Sequence, residues 1–255
     1  MKDITIVCVS NRRPEPDYYC YDEFFASCRK FGFEPVVMGG EPGEYGGLGS
    51  KPRLIKQAIE AARVPTEHML VVDCWDIVFA EDPSAVLQWY LDFGDAGRTE
   101  DPADMAARIV WNAEKNCFPD GSLAASHPPT SSPFRYLNSG FGIGETSAFL
   151  AALIAMEADT IPDDHTTPAG KRVEPCDQDY WMRALINGPV PMALDTQTTA
   201  CLALCGVEPV DLDLTGPRIC NLVTGSEPMA FHFNGGAKTG GLREPILAKL
   251  GYGNR

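Results

Sequence analysis

The chain has 255 residues, with 21 Lys plus Arg against 35 Asp plus Glu and a formal net charge of -14. It is long enough to bury a sizeable core, and its 44% hydrophobic content is that of an ordinary globular protein, not of a disordered chain. The acidic balance argues against a surface coated in basic side chains for long nucleic-acid contacts, although a local basic groove is compatible with it, and no apolar run reaches the length of a membrane span.

The start, MKDITIVCVSNRR, lacks the apolar stretch and small-residue cleavage site of a signal peptide and reads as a first β-strand. Phe24, Phe25, Cys28 and Phe31 then recur at helical spacing, with Gly32 as the stop. FEPVVMG predicts a second strand. The glycine-rich GGEPGEYGGLGSK leads into a helix marked by Leu54, Ile55, Ala58, Ile59 and Ala62. HMLVVDCWDIVF is expected as a third strand, PSAVLQWYLDF as a helix from near Pro83, and RIVWNAE as another strand. Residues 116–135 form a long polar loop. YLNSGFGIGE returns to strand, TSAFLAALIAMEA is a helix, residues 160–176 are a loop, and DQDYWMRALIN is a short helix. Short β-like segments and loops follow, up to MAFHFNGGAKTGGLREPILAKLGY. Alternating strands and helices predict an α/β fold with a mainly parallel sheet. With no low-complexity linker, residues 1–255 are expected to form a single domain. In such sheets ligands sit at the carboxyl ends of the strands, which puts Asp73 at a site edge.

Nine cysteines, at 8, 20, 28, 74, 117, 176, 201, 205 and 220, are odd in number and irregularly spaced. No paired CxxC motif appears, so reduced thiols are expected, not a disulfide framework or a zinc site. Together with the missing signal peptide they lead to the expectation of a cytoplasmic protein with no membrane or obligate protein partner.

Four motifs carry chemistry. In DCWD, Asp73 and Asp76 close an apolar run; a turn or helix cap explains many such pairs, whereas paired carboxylates also suit Mg²⁺ or Mn²⁺, which in turn binds a diphosphate. In FHFNGGAKTGG, His232 reads either as a structural histidine or, with Asn234, Gly235 and Lys238, as part of a metal–diphosphate site. Asn138, Ser139 and Gly140 interrupt a strand, as a plain bulge or as a close approach to a ligand. In CDQDYW, Asp177 is an N-cap or a general base.

Taken in this order, the motifs EFFASCRKFG, GGLGSK, VVDCWDIVF, NAEKNCFPD, YLNSGFGIG, DQDYW and HFNGGAK resemble the GT-A glycosyltransferase domain of lysyl hydroxylases and collagen galactosyltransferase-like enzymes. The resemblance runs nearly end to end and implies a Rossmann-like GT-A fold, a UDP-sugar donor and Mn²⁺ (or Mg²⁺). It implies Asp73, Asp76 and His232 as metal ligands, and Lys238 on the diphosphate. Trp75 would lie beside the nucleotide, with further donor positions at Val9, Ser10, Lys51, Asn234 and Gly235. Asn138, Ser139 and Gly140 would line the sugar pocket, and Asp177 and Gln178 would lie close to the acceptor, Asp177 as general base of an inverting transfer.

Three departures fall where sugar or acceptor selection is expected. The acidic run of lysyl hydroxylases is reduced to Asp177 after Cys176, the aromatic of their CWP motif is Phe118, and a glycine of their HGNG motif is Phe233. Collagen hydroxylysine does not suit a chain with many free cysteines and no signal peptide. The compact chain also resembles small bacteriophage GT-A enzymes that place sugars on 5-hydroxymethylcytosine in DNA, which makes such DNA the leading expected acceptor. Three basic groups favour it: Arg12 with Arg13, Lys171 with Arg172, and Arg243 with Lys249. The net charge of -14 disfavours it. A target base would have to leave its stack, and Phe118 and Phe134 could act as a wedge. A cell-envelope or capsular glycan is the alternative acceptor, and a non-catalytic sugar-nucleotide binder the alternative class.

Overall fold

The computed structural model describes residues 3–10, 20–41, 43–96, 108–162, 165–166, 172–173, 176–238 and 240–253. In strand β1 (Ile4–Val9), Ile4, Ile6 and Cys8 enter one apolar cluster and Val7 and Val9 the other. That is the period of two expected of a strand covered on both faces. Helix α1 (Tyr21–Lys30) buries Phe24, Ser27 and Cys28. It ends at Gly32 as predicted. Gly32 has φ +72°, its N–H donates to Arg29 O (3.0 Å), and Phe33 N–H donates to Cys28 O (2.9 Å), the paired bonds of a Schellman stop. Strand β2 (Val36–Met38) follows, and after the glycine-rich loop helix α2 (Ser50–Glu60) buries Leu54, Ile55 and Ala58.

The expected third strand divides in two. Strand β3 (His68–Val72) stops before Asp73, residues 73–76 turn, and β4 (Ile77–Phe79) joins a different sheet. The turn is held at both ends by backbone bonds: Asp73 N–H donates to Gly140 O (2.9 Å), and Asp76 O accepts Phe233 N–H (2.7 Å). The two apolar halves of one run are thereby buried in separate sheets.

The remaining elements are α3 (Pro83–Ala96), β5 (Ile109–Glu114), β6 (Tyr136–Glu145), α4 (Thr146–Ala155), the short pair β7 (His165–Thr166) and β8 (Arg172–Val173), α5 (Asp177–Asn187), β9 (Met192–Asp195), β10 (Leu202–Ala203), β11 (Leu212–Asp213), β12 (Cys220–Asn221), β13 (Ala230–His232) and α6 (Arg243–Leu250). The central sheet has six strands in the order β2-β1-β3-β6-β5-β9; β6 runs antiparallel to both neighbours and the other pairings are parallel. A smaller sheet has the order β10-β13-β4. The expectation of a mixed, mainly parallel sheet flanked by helices therefore holds.

One irregularity in the central sheet positions the site. Trp111 pairs with Gly142 but the next residue, Asn112, pairs with Asn138. Ser139, Gly140 and Phe141 are thus extra to the β5 ladder, a bulge of the kind that re-aims side chains. Among the described residues no helix is long and apolar enough to cross a membrane, and all nine cysteines are unpaired.

Candidate metal and nucleotide site

Asp73 and Asp76 come from the turn between β3 and β4, and His232 from β13. The antiparallel pairing of β13 with β4 sets His232 opposite Ile77 and so beside Asp76. His232 Nε2 lies 3.2 Å from Asp76 Oδ1 and 3.9 Å from Asp73 Oδ2. One ligand atom from each of the three residues lies within 4.8 Å of the others. Behind the ring, Gly140 supplies the room: a β-carbon there would stand 2.2 Å from His232 Cε1. The bulge reading of Asn138, Ser139 and Gly140 holds, and the group that comes close to its backbone is the His232 ring.

Lys238 Nζ lies 2.9 Å from Asp76 Oδ2. Burial works against ionisation of Asp76, but His232 and Lys238 outweigh it and bring its pKa down to about 2. Burial likewise opposes a charge on His232, and Asp76 and Asp73 outweigh it, so the imidazole is held above its ordinary range. Asp76 Oδ1 is buried and no hydrogen bond of good geometry reaches it. Its nearest charged neighbour is His232 Nε2, at 3.2 Å. Two carboxylates and an imidazole together are a donor set that could hold a divalent cation such as Mn²⁺ or Mg²⁺.

Lys51, at the start of α2, reaches the same cluster. Its Nζ is 2.6 Å from Asp73 Oδ1 and 3.3 Å from Asp177 Oδ2. Burial disfavours its charge, but Asp177 and Asp73 prevail and hold the ammonium well above the usual lysine range. A cavity of about 260 Å³ opens beside these groups, bordered by Val9, Ser10, Lys51, Asp73, Trp75 and Lys238. The Trp75 indole N–H donates to Ser10 Oγ (2.8 Å), which fixes the ring as a wall of the cavity. Tyr45 and Leu48 also border it and were not among the expected residues. A larger cleft of about 460 Å³ lies elsewhere, lined by Asp22, Arg29 and Arg243 among others, and none of the expected site residues borders it.

On the other flank, Asp177 is the first residue of α5 and is buried, and Cys176, not Asp177, holds the N-cap position. Capping therefore does not account for Asp177. Burial raises its pKa, the nearby Lys51 opposing. Gln178 accepts Ser139 N–H at Oε1 (3.1 Å) and donates to Glu114 Oε1 (2.9 Å) and Phe118 O (2.7 Å). Asn234 Oδ1 accepts Cys205 N–H (2.8 Å), and Gly235, with φ +54°, starts the short 3₁₀ turn that ends at Lys238.

Some expectations are corrected here. Phe233 and Phe134 are fully buried in the apolar core, so neither selects a ligand nor wedges a base; only Phe118, 59% exposed, remains on the surface. Arg243 lines the larger cleft, and Lys249 donates to Gly216 O. Arg12, Arg13 and Lys171 lie outside the described residues, as does the side chain of Arg172. Glu114 was missed. It is 3% exposed and accepts from three side-chain amides. The available signal was the one that flagged Asp73, a carboxylate closing an apolar strand.

A family model described as the PLOD GT domain matches residues 2–242. The chain belongs to the PLOD GT domain family. This glycosyltransferase domain is 26% identical, over 212 residues, to a multifunctional procollagen lysine hydroxylase and glycosyltransferase of Caenorhabditis elegans, aligning 79% of the chain with 26% of that protein. It is 30% identical over 125 residues to the human protein LH3 of the same description, covering 48% of the chain and 15% of the relative. The domain thus spans about a quarter or less of the length of these relatives. In fold it is similar to a glycosyltransferase involved in the glycosylation of the major capsid of PBCV-1, with a TM-score of 0.51, 14% identity, and coverage of 93% and 97% of the two chains. It is a PLOD GT domain of mixed α/β architecture.

Proposed function

We propose that this domain transfers a hexose from a UDP-sugar to a hydroxyl acceptor, using Mn²⁺ or Mg²⁺ held by Asp73, Asp76 and His232. The observation that carries this reading is the convergence of one ligand atom each from Asp73, Asp76 and His232, all within 4.8 Å of one another, beside a cavity that Asp73 and Asp76 border. When bound, the cation supplies positive charge to the departing diphosphate. Lys238 adds a second charge from the same side, in the manner of an electrostatic clamp on a leaving group. Trp75, braced by Ser10, offers an apolar face for the nucleobase. Lys51 bridges Asp73 and Asp177, and the sugar would lie beside it, between the metal ligands and Asp177. Asp177 is the candidate base for an inverting transfer: burial raises its pKa, which suits proton uptake, and Lys51 orients it.

For the acceptor, the leading reading is 5-hydroxymethylcytosine in DNA, supported by the sequence resemblance and by Phe118, an exposed ring next to Gln178 on which a planar base could stack. A neutral envelope or capsular glycan is the second reading. It is favoured by Arg183, whose charge is shared between Asp120 (3.1 Å) and Asp179 (3.0 Å) and is so committed away from phosphates.

The test is release of UDP from a panel of UDP-sugars with Mn²⁺, followed by mass spectrometry of hydroxymethylcytosine DNA and of glycans as acceptors. Asp73→Ala and His232→Ala should each abolish turnover; undiminished turnover by both, with and without chelator, overturns the metal reading. A hexose mass gain on glycan alone replaces the DNA reading with the second.

A further inference from the structure

We infer that Glu114 is a positioning residue: through Asn138 it fixes the hydrogen-bond direction at His232, so that the ring keeps its hydrogen on Nδ1 and presents Nε2 to Asp73 and Asp76. This rests on the metal site proposed above. An ionised carboxylate only accepts hydrogen bonds. Glu114 receives them from Asn138 Nδ2 (3.0 Å), Gln178 Nε2 (2.9 Å) and Asn234 Nδ2 (3.0 Å), all within a buried network. Each of these amides must therefore turn its nitrogen toward Glu114 and its oxygen away. The three oxygens then meet backbone donors: Asn138 accepts Gly140 N–H (3.0 Å), Gln178 accepts Ser139 N–H (3.1 Å) and Asn234 accepts Cys205 N–H (2.8 Å).

The consequence at the histidine follows from the same direction. Asn138 Oδ1 lies 3.0 Å from His232 Nδ1, and an amide oxygen can only accept, so Nδ1 carries the hydrogen. The ring nitrogen left for a cation is Nε2, the atom that faces both aspartates. Partners of this kind typically change metal affinity by about 10- to 100-fold when removed. Glu114 touches neither the ligand atoms nor the cavity, and acts only through the amides it orients.

The test measures Mn²⁺ binding by calorimetry without nucleotide, so that turnover is not the readout. Glu114→Gln puts an amide where three NH₂ groups converge. It should weaken Mn²⁺ binding by about 10- to 100-fold. The double variant Glu114→Gln/Asn138→Asp reverses the polarity: the new amide donates to the new carboxylate, which still accepts from His232 Nδ1–H and Gly140 N–H. It should recover part of the lost affinity, because Gln178 Nε2, which shares Oε1 with Asn138, is left facing the new NH₂; a merely structural role would predict no recovery. Glu114→Gln binding as tightly as wild type, or a double variant no better than the single one, overturns the inference. Should the variants fail to fold, ¹⁵N spectra of the wild-type histidines with Mg²⁺ decide: hydrogen on Nδ1 of His232 supports the inference and hydrogen on Nε2 overturns it. Wild-type protein that binds no Mn²⁺ overturns the metal reading itself, a separate outcome.

Discussion

Gly140 and His232 share one volume: a β-carbon on the glycine would stand 2.2 Å from Cε1 of the imidazole. The ring is 3% exposed and pinned by Asn138 on one side and Asp76 on the other, so it has nowhere to retreat. Gly140→Ala should therefore displace His232 and weaken Mn²⁺ binding at least roughly tenfold, with an overpacking cost of about 1–3 kcal/mol in stability. Metal titration alongside thermal unfolding checks this, and unchanged binding in a folded variant contradicts it.

Lys51 neutralises two carboxylates that belong to different elements. In Lys51→Met, Asp177 is left buried without its cation, a change that costs about 3–5 kcal/mol in comparable pairs. The melting temperature should fall by roughly 6–20 °C. Added Mn²⁺ should raise it more than in wild type, because the ion replaces the lost charge beside Asp73. Equal melting temperatures for variant and wild type would show that the pairing has no net value.

Metal binding should weaken in acid. The pKa of His232 is raised from 6.5 by Asp76 and Asp73 against the opposing effect of burial, so the ring stays protonated to a higher pH than a free histidine. A cation needs the bare nitrogen, so binding releases a proton. Affinity should be full above the raised pKa and fall by up to about tenfold per unit below it. Titrations at about pH 6 and about pH 8 that return the same dissociation constant would refute the assignment of His232 as a ligand.

Phe118→Ala removes an exposed ring from the acceptor side while leaving its carbonyl, which Gln178 uses. The KM for a base-containing acceptor should rise at least roughly fivefold, the scale of one lost stacking contact, with UDP-sugar hydrolysis unchanged. A parallel loss of hydrolysis would place the ring on the donor side instead.

Away from the site, Ala62 holds φ +53° in the stop of α2, with its N–H on Ile59 O and Arg63 N–H on Ala58 O. A glycine avoids the β-carbon clash of that conformation. Ala62→Gly should stabilise the fold by about 0.5–1 kcal/mol, read by denaturant unfolding. A lower midpoint would show that packing of the methyl group outweighs the strain.

Local pattern was enough for much of this molecule. The helical spacing before Gly32, the strand period of β1 and the apolar runs of β5 and β6 are properties of neighbours in the chain, and the periodicities report them directly. The aspartates of DCWD and the histidine of HFNGGAK were visible because each interrupts or closes an apolar run. Collinear motifs then linked them.

Tertiary structure decided the rest. Whether HMLVVDCWDIVF is one strand or two depends on Gly140 O and Phe233 N–H, which lie far along the chain and leave no mark on its period. Phe134 and Phe233 read as available aromatics until packing buried them. Glu114 gives no spacing signal because its amide partners stand 24, 64 and 120 residues away. By itself the sequence determined most of the elements and the residue types of the proposed metal site. Only the fold, by pairing β13 with β4 and bulging β6 at Gly140, decided that His232 meets Asp76, because that contact is made by strand register and not by proximity in the chain.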